Sequence, residues 1–180
     1  GPIARLGLAG RWQLSHPLSL EIEAGQARAF GGDFNSHYAQ LSLGVVLGGA
    51  PISADPDDSR KTLHDTTWAL SAQRYAHARR KDGRTHSLGT LGFKFTRSVS
   101  EHLYLSGQAH SAITGGAGAY SVGLIGIGVS TRLGPTTPWK VGAEAMVGAA
   151  GGGGVAIRGG AMAQPMAWIG RDLGRFSRIT

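Results

Sequence analysis

Without cysteine, this chain's chemistry must come from its histidines, carboxylates, hydroxyls and amines, and each of those sets is dispersed. Seven histidines stand at positions 16, 37, 64, 77, 86, 102 and 110. None has the i, i+2 or i, i+4 spacing that aims two imidazoles at one metal from a single element. His110-Ser111 with a distant Glu144 has the residue types of a hydrolytic relay. Adjacent strand residues point to opposite faces, however, so His110 and Ser111 do not meet on a regular strand. Asp55, Asp57 and Asp58 could offer oxygens to calcium, but beside Pro51 and Pro56 they read better as a polar loop. The Gly151–Gly154 run is followed by Val155-Ala156-Ile157-Arg158, a strand pattern. It is not the helix with Lys and Ser or Thr that a phosphate loop requires. No catalytic residue, metal site or cofactor is assigned.

Composition narrows the architecture. At 180 residues the chain suffices for one domain, 1–180, with a sizeable interior. Its 30 glycines are hostile to long helices and suit strands that bend or pack closely. The longer apolar runs are Gly- and Ala-rich, which argues against a membrane-spanning helix. The absence of cysteine excludes disulfides and thiolate chemistry. Gly1-Pro2 resembles the remnant of a cleaved tag, which would fit removal of a leader. The end at Ser177–Thr180 falls inside a strand pattern, which leaves two alternatives: a trimmed chain from a larger barrel, or a different family from the one the strands resemble. A net charge of +7 could suit nucleic acid, anionic lipid or an anionic polysaccharide. The basic residues are spread along the chain and only Arg79-Arg80-Lys81 clusters, as an expected solvated loop tip, so no nucleic-acid partner is expected.

Period-two alternation is the dominant signal, and it predicts an all-β chain. Between Ile3 and Ser15, Leu6, Leu8, Trp12 and Leu14 share one face while Arg5, Arg11 and Gln13 share the other. After Ser15-His16-Pro17 the pattern restarts with Leu18, Leu20, Ile22 and Ala24 against Ser19, Glu21 and Glu23. Further strands are expected around Leu41–Leu47, Trp68–Tyr75, Ser87–Arg97, His102–Ile113, Ala119–Arg132, Trp139–Ala149, Val155–Trp168 and Phe176 onward. The result is an up-and-down antiparallel meander of about ten strands. A turn centred on His16 sets Arg11 opposite Glu21, and one centred on Gly151 sets Glu144 opposite Arg158. Leu18–Ala27 is echoed by His102–Ala109, each closing on Gly-Gln-Ala, and Tyr38 and Tyr120 keep the same offset. This suggests a repeated unit of about four strands.

The polar face carries Arg11, Glu21, Glu23, Gln40, Gln73, Lys94, Gln108, His110, Lys140, Glu144 and Arg158. So many ionisable groups in a dry core would each cost several kcal/mol, of order, unless paired. In a water-bearing lumen they are ordinary. Strands of about 11–13 residues suit a tilted membrane crossing. Tight turns at Ser15–Pro17, Ser98–Glu101 and Arg171–Gly174 suggest that every second connection is short.

In these features the chain resembles bacterial outer-membrane β-barrels, which implies a transmembrane β-barrel in a Gram-negative outer membrane. Contact with membrane lipid and a small or anionic solute in the lumen follow. The function expected is non-enzymatic, a pore or export channel lined by Arg11, Glu21, Glu23, Gln73, Lys94, Gln108, His110, Lys140, Glu144 and Arg158. Aromatics form no obvious girdles in the sequence, a departure from that family. Gly10-Arg11-Trp12 resembles the Gly-x-Trp start of lipocalins, which gives the alternative of a soluble barrel binding a small ligand or glycan. The His110, Ser111 and Glu144 types resemble those of outer-membrane lipid A deacylases, but the strand geometry opposes such a relay. Gly49–Asp65, with two prolines and little apolar periodicity, reads as an exposed excursion. Limited proteolysis is expected to cut there or at Arg79–Arg84 first, and early cleavage within Leu41–Leu47 would contradict that reading.

Overall fold

Alternation gives every strand two chemically different faces, and closing the sheet on itself is the arrangement that separates them completely. A computed structural model of the chain describes residues 2–15, 17–30, 33–47, 65–156 and 160–172. Among these, nine strands form and no helix: β1 Ile3–Gln13, β2 Leu18–Ala29, β3 Asn35–Leu47, β4 Thr66–Arg79, β5 Thr85–Ser98, β6 Leu103–Thr114, β7 Ser121–Arg132, β8 Trp139–Gly151 and β9 Ala161–Asp172. Each pairs antiparallel with the next, and β1 pairs with β9 to close the barrel. An odd number of strands makes that last pairing parallel, from Ile3↔Met162 to Gln13↔Asp172. We call the end where β1 begins the first rim and the end where it finishes the second rim.

The first hairpin has the register the sequence predicts, with Arg11 opposite Glu21 and Trp12 opposite Leu20. Leu14 N–H donates to the Leu18 carbonyl at 3.0 Å. The last hairpin differs. Glu144 stands opposite Met166, not position 158, and the strand expected over Val155–Trp168 instead spans Ala161–Asp172. The cause lies in the glycine run. Gly152 and Gly153 adopt φ of +82° and +60°, turning the chain away from β8. Val155 then bridges to Arg80, Ala156 N–H donates to the Arg79 carbonyl (2.9 Å), and Gly154 N–H donates to the Ala117 carbonyl (2.8 Å). Residues 152–156 therefore stitch three connections together across the first rim, and the return strand starts later. Arg158 and the tenth strand expected from Phe176 lie outside the described residues, as do Asp55, Asp57 and Asp58.

Four smaller expectations also change. Arg171 and Asp172 belong to β9 and not to a turn. Short connections do not alternate, since 30–34, 80–84 and 115–120 at the first rim have about as few residues as 14–17, 99–102 and 133–138 at the second. Arg79-Arg80-Lys81 is not one solvated tip, because Arg80 is 5 % exposed and donates to the Gly115 carbonyl. The sequence echo spans four strands, but Gln26 faces outward while Gln108 is buried inside, so the two segments are out of phase by one residue.

Apolar side chains point outward around the barrel, with Leu8 73 %, Ile125 68 %, Val147 61 % and Phe93 60 % exposed. Aromatic residues sort by face in a way the sequence conceals. Trp12, Trp68 and Trp139 lie on outward positions toward the second rim. Trp68 packs on Phe95 with ring centroids 5.5 Å apart, and the Arg171 guanidinium sits 5.3 Å from the Trp139 centroid. Tyr38, Tyr75, Tyr104 and Tyr120 are instead buried inside.

Inward aromatics need space, and glycine supplies it. A Cβ on Gly128 would fall 2.1 Å from the Tyr104 ring, and one on Gly142 would fall 2.5 Å from Trp168. Tyr104 is anchored by hydrogen bonds and cannot swing aside freely. Gly128→Val is accordingly expected to destabilise the barrel by about 1–3 kcal/mol through overpacking. Gly123→Ala, at a site with nothing within 4 Å, is expected to change it by under about 0.5 kcal/mol. Unfolding midpoints followed by tryptophan fluorescence would check both.

Candidate functional site

The interior is organised in three zones along the barrel axis. Nearest the first rim it is an apolar core, in which Ile3, Phe34, Leu88, Val122, Leu124, Met146 and Met162 pack around Tyr75 and Tyr120. Phe34 and Tyr75 meet edge to face at 5.9 Å.

The middle zone is polar. Arg5 on β1 donates from Nη2 to Glu23 Oε1 (3.3 Å) on β2 and to Gln40 Oε1 (3.1 Å) on β3. The same Glu23 oxygen accepts from Tyr38 Oη at 2.6 Å and from Gln164 Nε2 at 3.1 Å. Gln108 Nε2 donates to Gln164 Oε1 at 2.9 Å, which carries the network across the lumen from β9 to β6. The Gln73 amide lies 2.8 Å from Arg5 Nη1 and 3.3 Å from Tyr75 Oη, and it is complementary to both when its oxygen is the atom turned to the guanidinium. The Arg5 guanidinium also lies 3.8 Å from the Tyr38 ring centroid. Arg5 and Glu23 have no exposed side-chain surface, so each is the other's charge compensation.

Toward the second rim the network is ionic. Arg11 donates to Glu21 and, from Nη2, to Glu144 Oε2 at 3.1 Å. Lys94 Nζ donates to Glu21 Oε1 at 2.8 Å and stands 3.8 Å from Glu144 Oε1. The four groups thus alternate in sign around a closed ring drawn from β1, β2, β5 and β8. Every charge in it has two opposite neighbours, which offsets desolvation far better than a single pair would. Tyr104 Oη donates to Glu144 Oε2 (2.8 Å) and accepts from Trp168 Nε1 (2.8 Å). Arg11 stacks on the Trp168 ring at 4.3 Å. Beyond the ring a cavity of about 190 Å³ opens at the second rim, lined by Arg11, Glu21, Lys94, Lys140, Thr67 and Trp168 among others.

Of the residues singled out from sequence, Glu23, Gln73, Lys94, Gln108, His110 and Glu144 are buried inside. Arg11, Glu21 and Lys140 line the cavity. His110 lies on β6 beyond Gln108, and neither ring nitrogen has a hydrogen-bond partner. Ser111 points outward and meets Ser121 at 3.2 Å, so His110 and Ser111 are on opposite faces. Among the described residues no three His, Asp or Glu side chains gather into a metal-holding group. Arg5, Tyr38, Tyr104, Gln164 and Trp168 also belong to the networks. Arg5 was legible from its alternation with Arg11. Gln164 was hidden, because the inward face of β9 alternates it with Met162 and Met166 and so looks apolar.

Breaking a buried pair from one side leaves an uncompensated charge. Glu23→Gln or Arg5→Met alone is expected to lower the unfolding free energy by about 3–5 kcal/mol. The double variant should lose clearly less than the sum, and strictly additive losses in chemical denaturation would show that the two are uncoupled. Compared with known protein families, curated proteins and solved structures, the chain matches none.

Proposed function

We propose that this chain is a membrane-inserted β-barrel of the outer-membrane type, and that its charged lumen is a gated path for small solutes. The observation behind this reading is the inversion of the faces. The outward side carries Leu6, Leu8, Leu41, Leu43, Leu70, Phe93, Ile125, Ile127 and Val147, all at least 50 % exposed, while Arg5, Glu23, Lys94 and Glu144 are buried within. A contiguous apolar surface of this extent is stable against lipid and a liability in water. Trp12, Trp68, Phe95 and Trp139 toward the second rim fit the aromatic belt of a membrane–water interface. Single-chain bacterial outer-membrane barrels have even strand numbers. The nine described strands depart from that, so the reading rests on the faces and not on strand count.

The lumen is filled at three levels, so passage requires the ring and the Arg5–Glu23 layer to rearrange. The cavity at the second rim is lined by Arg11, Lys94, Lys140 and Arg171 together with the carboxylate of Glu21, an excess of basic groups that favours small anions. A soluble ligand-binding barrel is the weaker reading, since about 190 Å³ falls short of the roughly 300–1,000 Å³ of small-molecule sites.

Nitroxide labels at Ile125 and Val147, which are register partners on the outer face, and at Lys140 in the cavity test the proposal. In reconstituted vesicles the first two are expected to be accessible to oxygen in lipid and the third to a water-soluble nickel chelate. A monodisperse protein without detergent, with water-accessible labels at Ile125 and Val147, would sink it.

A further inference from the structure

The outer surface is not apolar to both edges all the way round. On β2–β5 it changes character toward the first rim. The outward positions there are Gln26 and Arg28 on β2, Asn35 and His37 on β3, and Arg74, His77 and Arg79 on β4, all exposed. A bulge between Tyr75 and Ala78, both buried, leaves Ala76 and His77 outside and so brings His77 onto this face. Arg74 is steadied along the wall by Ser87 Oγ at 3.4 Å, and Gln26 donates to Asn35 Oδ1 at 2.8 Å. No Asp or Glu occupies an outward position on these four strands, because Glu21 and Glu23 both face the lumen. Arginines 28, 74 and 79 therefore share a face whose strands carry no outward acidic residue, with Asp33 and Asp82 standing in the connections at its rim.

Their position relative to the apolar band suggests what they meet. Ala72 lies between Leu41 and Leu91 in register, the last row of large apolar side chains on β3–β5, and Arg74 is the next outward residue on β4; on β2's side Phe30, past Arg28, is again exposed. Two residues along a strand is roughly 6–7 Å. The arginines thus begin one headgroup layer beyond the hydrocarbon-facing surface. The flanking strands show no such step, since Ile113 on β6 and Leu6 on β1, the register partner of Gln26, remain exposed and apolar toward the same rim. Guanidinium pairs phosphate oxygens bidentately, and arginine's weak hydration suits it to an interface.

We propose that this β2–β5 face is a docking surface for the phosphate headgroups of anionic lipid in the leaflet at the first rim. It rests on the membrane reading above. The test uses the full chain reconstituted in phosphatidylcholine vesicles carrying a small fraction of spin-labelled phosphatidylglycerol, phosphatidic acid or phosphatidylcholine. The fraction of each label immobilised at the protein surface is the readout. The acidic lipids are expected to be selected over phosphatidylcholine severalfold, about fivefold for each headgroup held by one basic side chain. The triple variant Arg28→Gln, Arg74→Gln, Arg79→Gln should bring the ratio close to one. The Lys version of the same three positions should keep most of the selectivity, showing that charge and not folding is at issue. A ratio of one for the wild-type protein, or selectivity unchanged in the Gln variant, overturns the proposal. Loss of selectivity with inorganic phosphate at constant ionic strength would identify a soluble-anion site and overturns it too. Failure to insert into pure phosphatidylcholine vesicles would instead strike down the membrane reading itself.

Discussion

Closing the sheet is the constraint from which the remaining features follow. An eight-stranded barrel has an interior just wide enough for side chains to fill, and nine strands widen it slightly. Period two then commits half of every strand to that interior. In this chain the committed half includes Arg5, Arg11, Glu21, Glu23, Lys94 and Glu144. None could remain there alone, so the lumen is built around their mutual compensation. Arg11 and Lys94 are each shared between Glu21 and Glu144, while Arg5 and Glu23 are held by Gln40, Tyr38 and Gln164. Several of these contacts, among them Arg11–Glu144, Lys94–Glu21 and Gln164–Glu23, join strands that are not neighbours in the sheet and brace the barrel from inside, as ladder hydrogen bonds do around its wall.

The interior is also graded along its axis. Apolar packing near the first rim gives way to amides and one ion pair, then to the alternating ring, then to a cavity at the second rim. The connections at 80–84, 115–120 and 152–156 are tied to one another over the apolar end. One end is thereby sealed by packing and backbone hydrogen bonds, and the other is open and charged. That asymmetry is what makes a gated path a better description of the proposed function than an open channel.

Glycine links the inner and outer organisation. With Tyr104 over Gly128 and Trp168 over Gly142, bulky rings lie flat against the wall and leave room for the ionic ring beside them. Trp12 covers Gly10 and Phe95 covers Gly107 on the other side of the sheet. The glycine excess is thus used where aromatic residues press on the barrel wall, and the outward surface keeps a smooth apolar character between them.

Alternation determined the all-β class, the meander and the register of the first hairpin, and it put Arg11, Glu23, Lys94 and Glu144 on the polar faces of their strands, which the number of charges there, and not alternation, turned inward. Those properties are local, since a strand's two faces and a short turn's register are written in adjacent residues. The sequence left open which charges would meet, because Arg11 and Glu144 belong to strands far apart in the chain that only closure brings together. It misplaced the last hairpin, whose glycine run follows partners at the first rim contributed by other loops. It hid the sorting of aromatic residues, because an aromatic reads as outward by alternation only when its neighbours alternate cleanly. Tyr38 and Tyr104 are drawn inward by carboxylates on other strands. Tertiary structure decided these matters for one physical reason: a buried charge takes its energy from whatever lies across the lumen, and only the closed barrel fixes what that is.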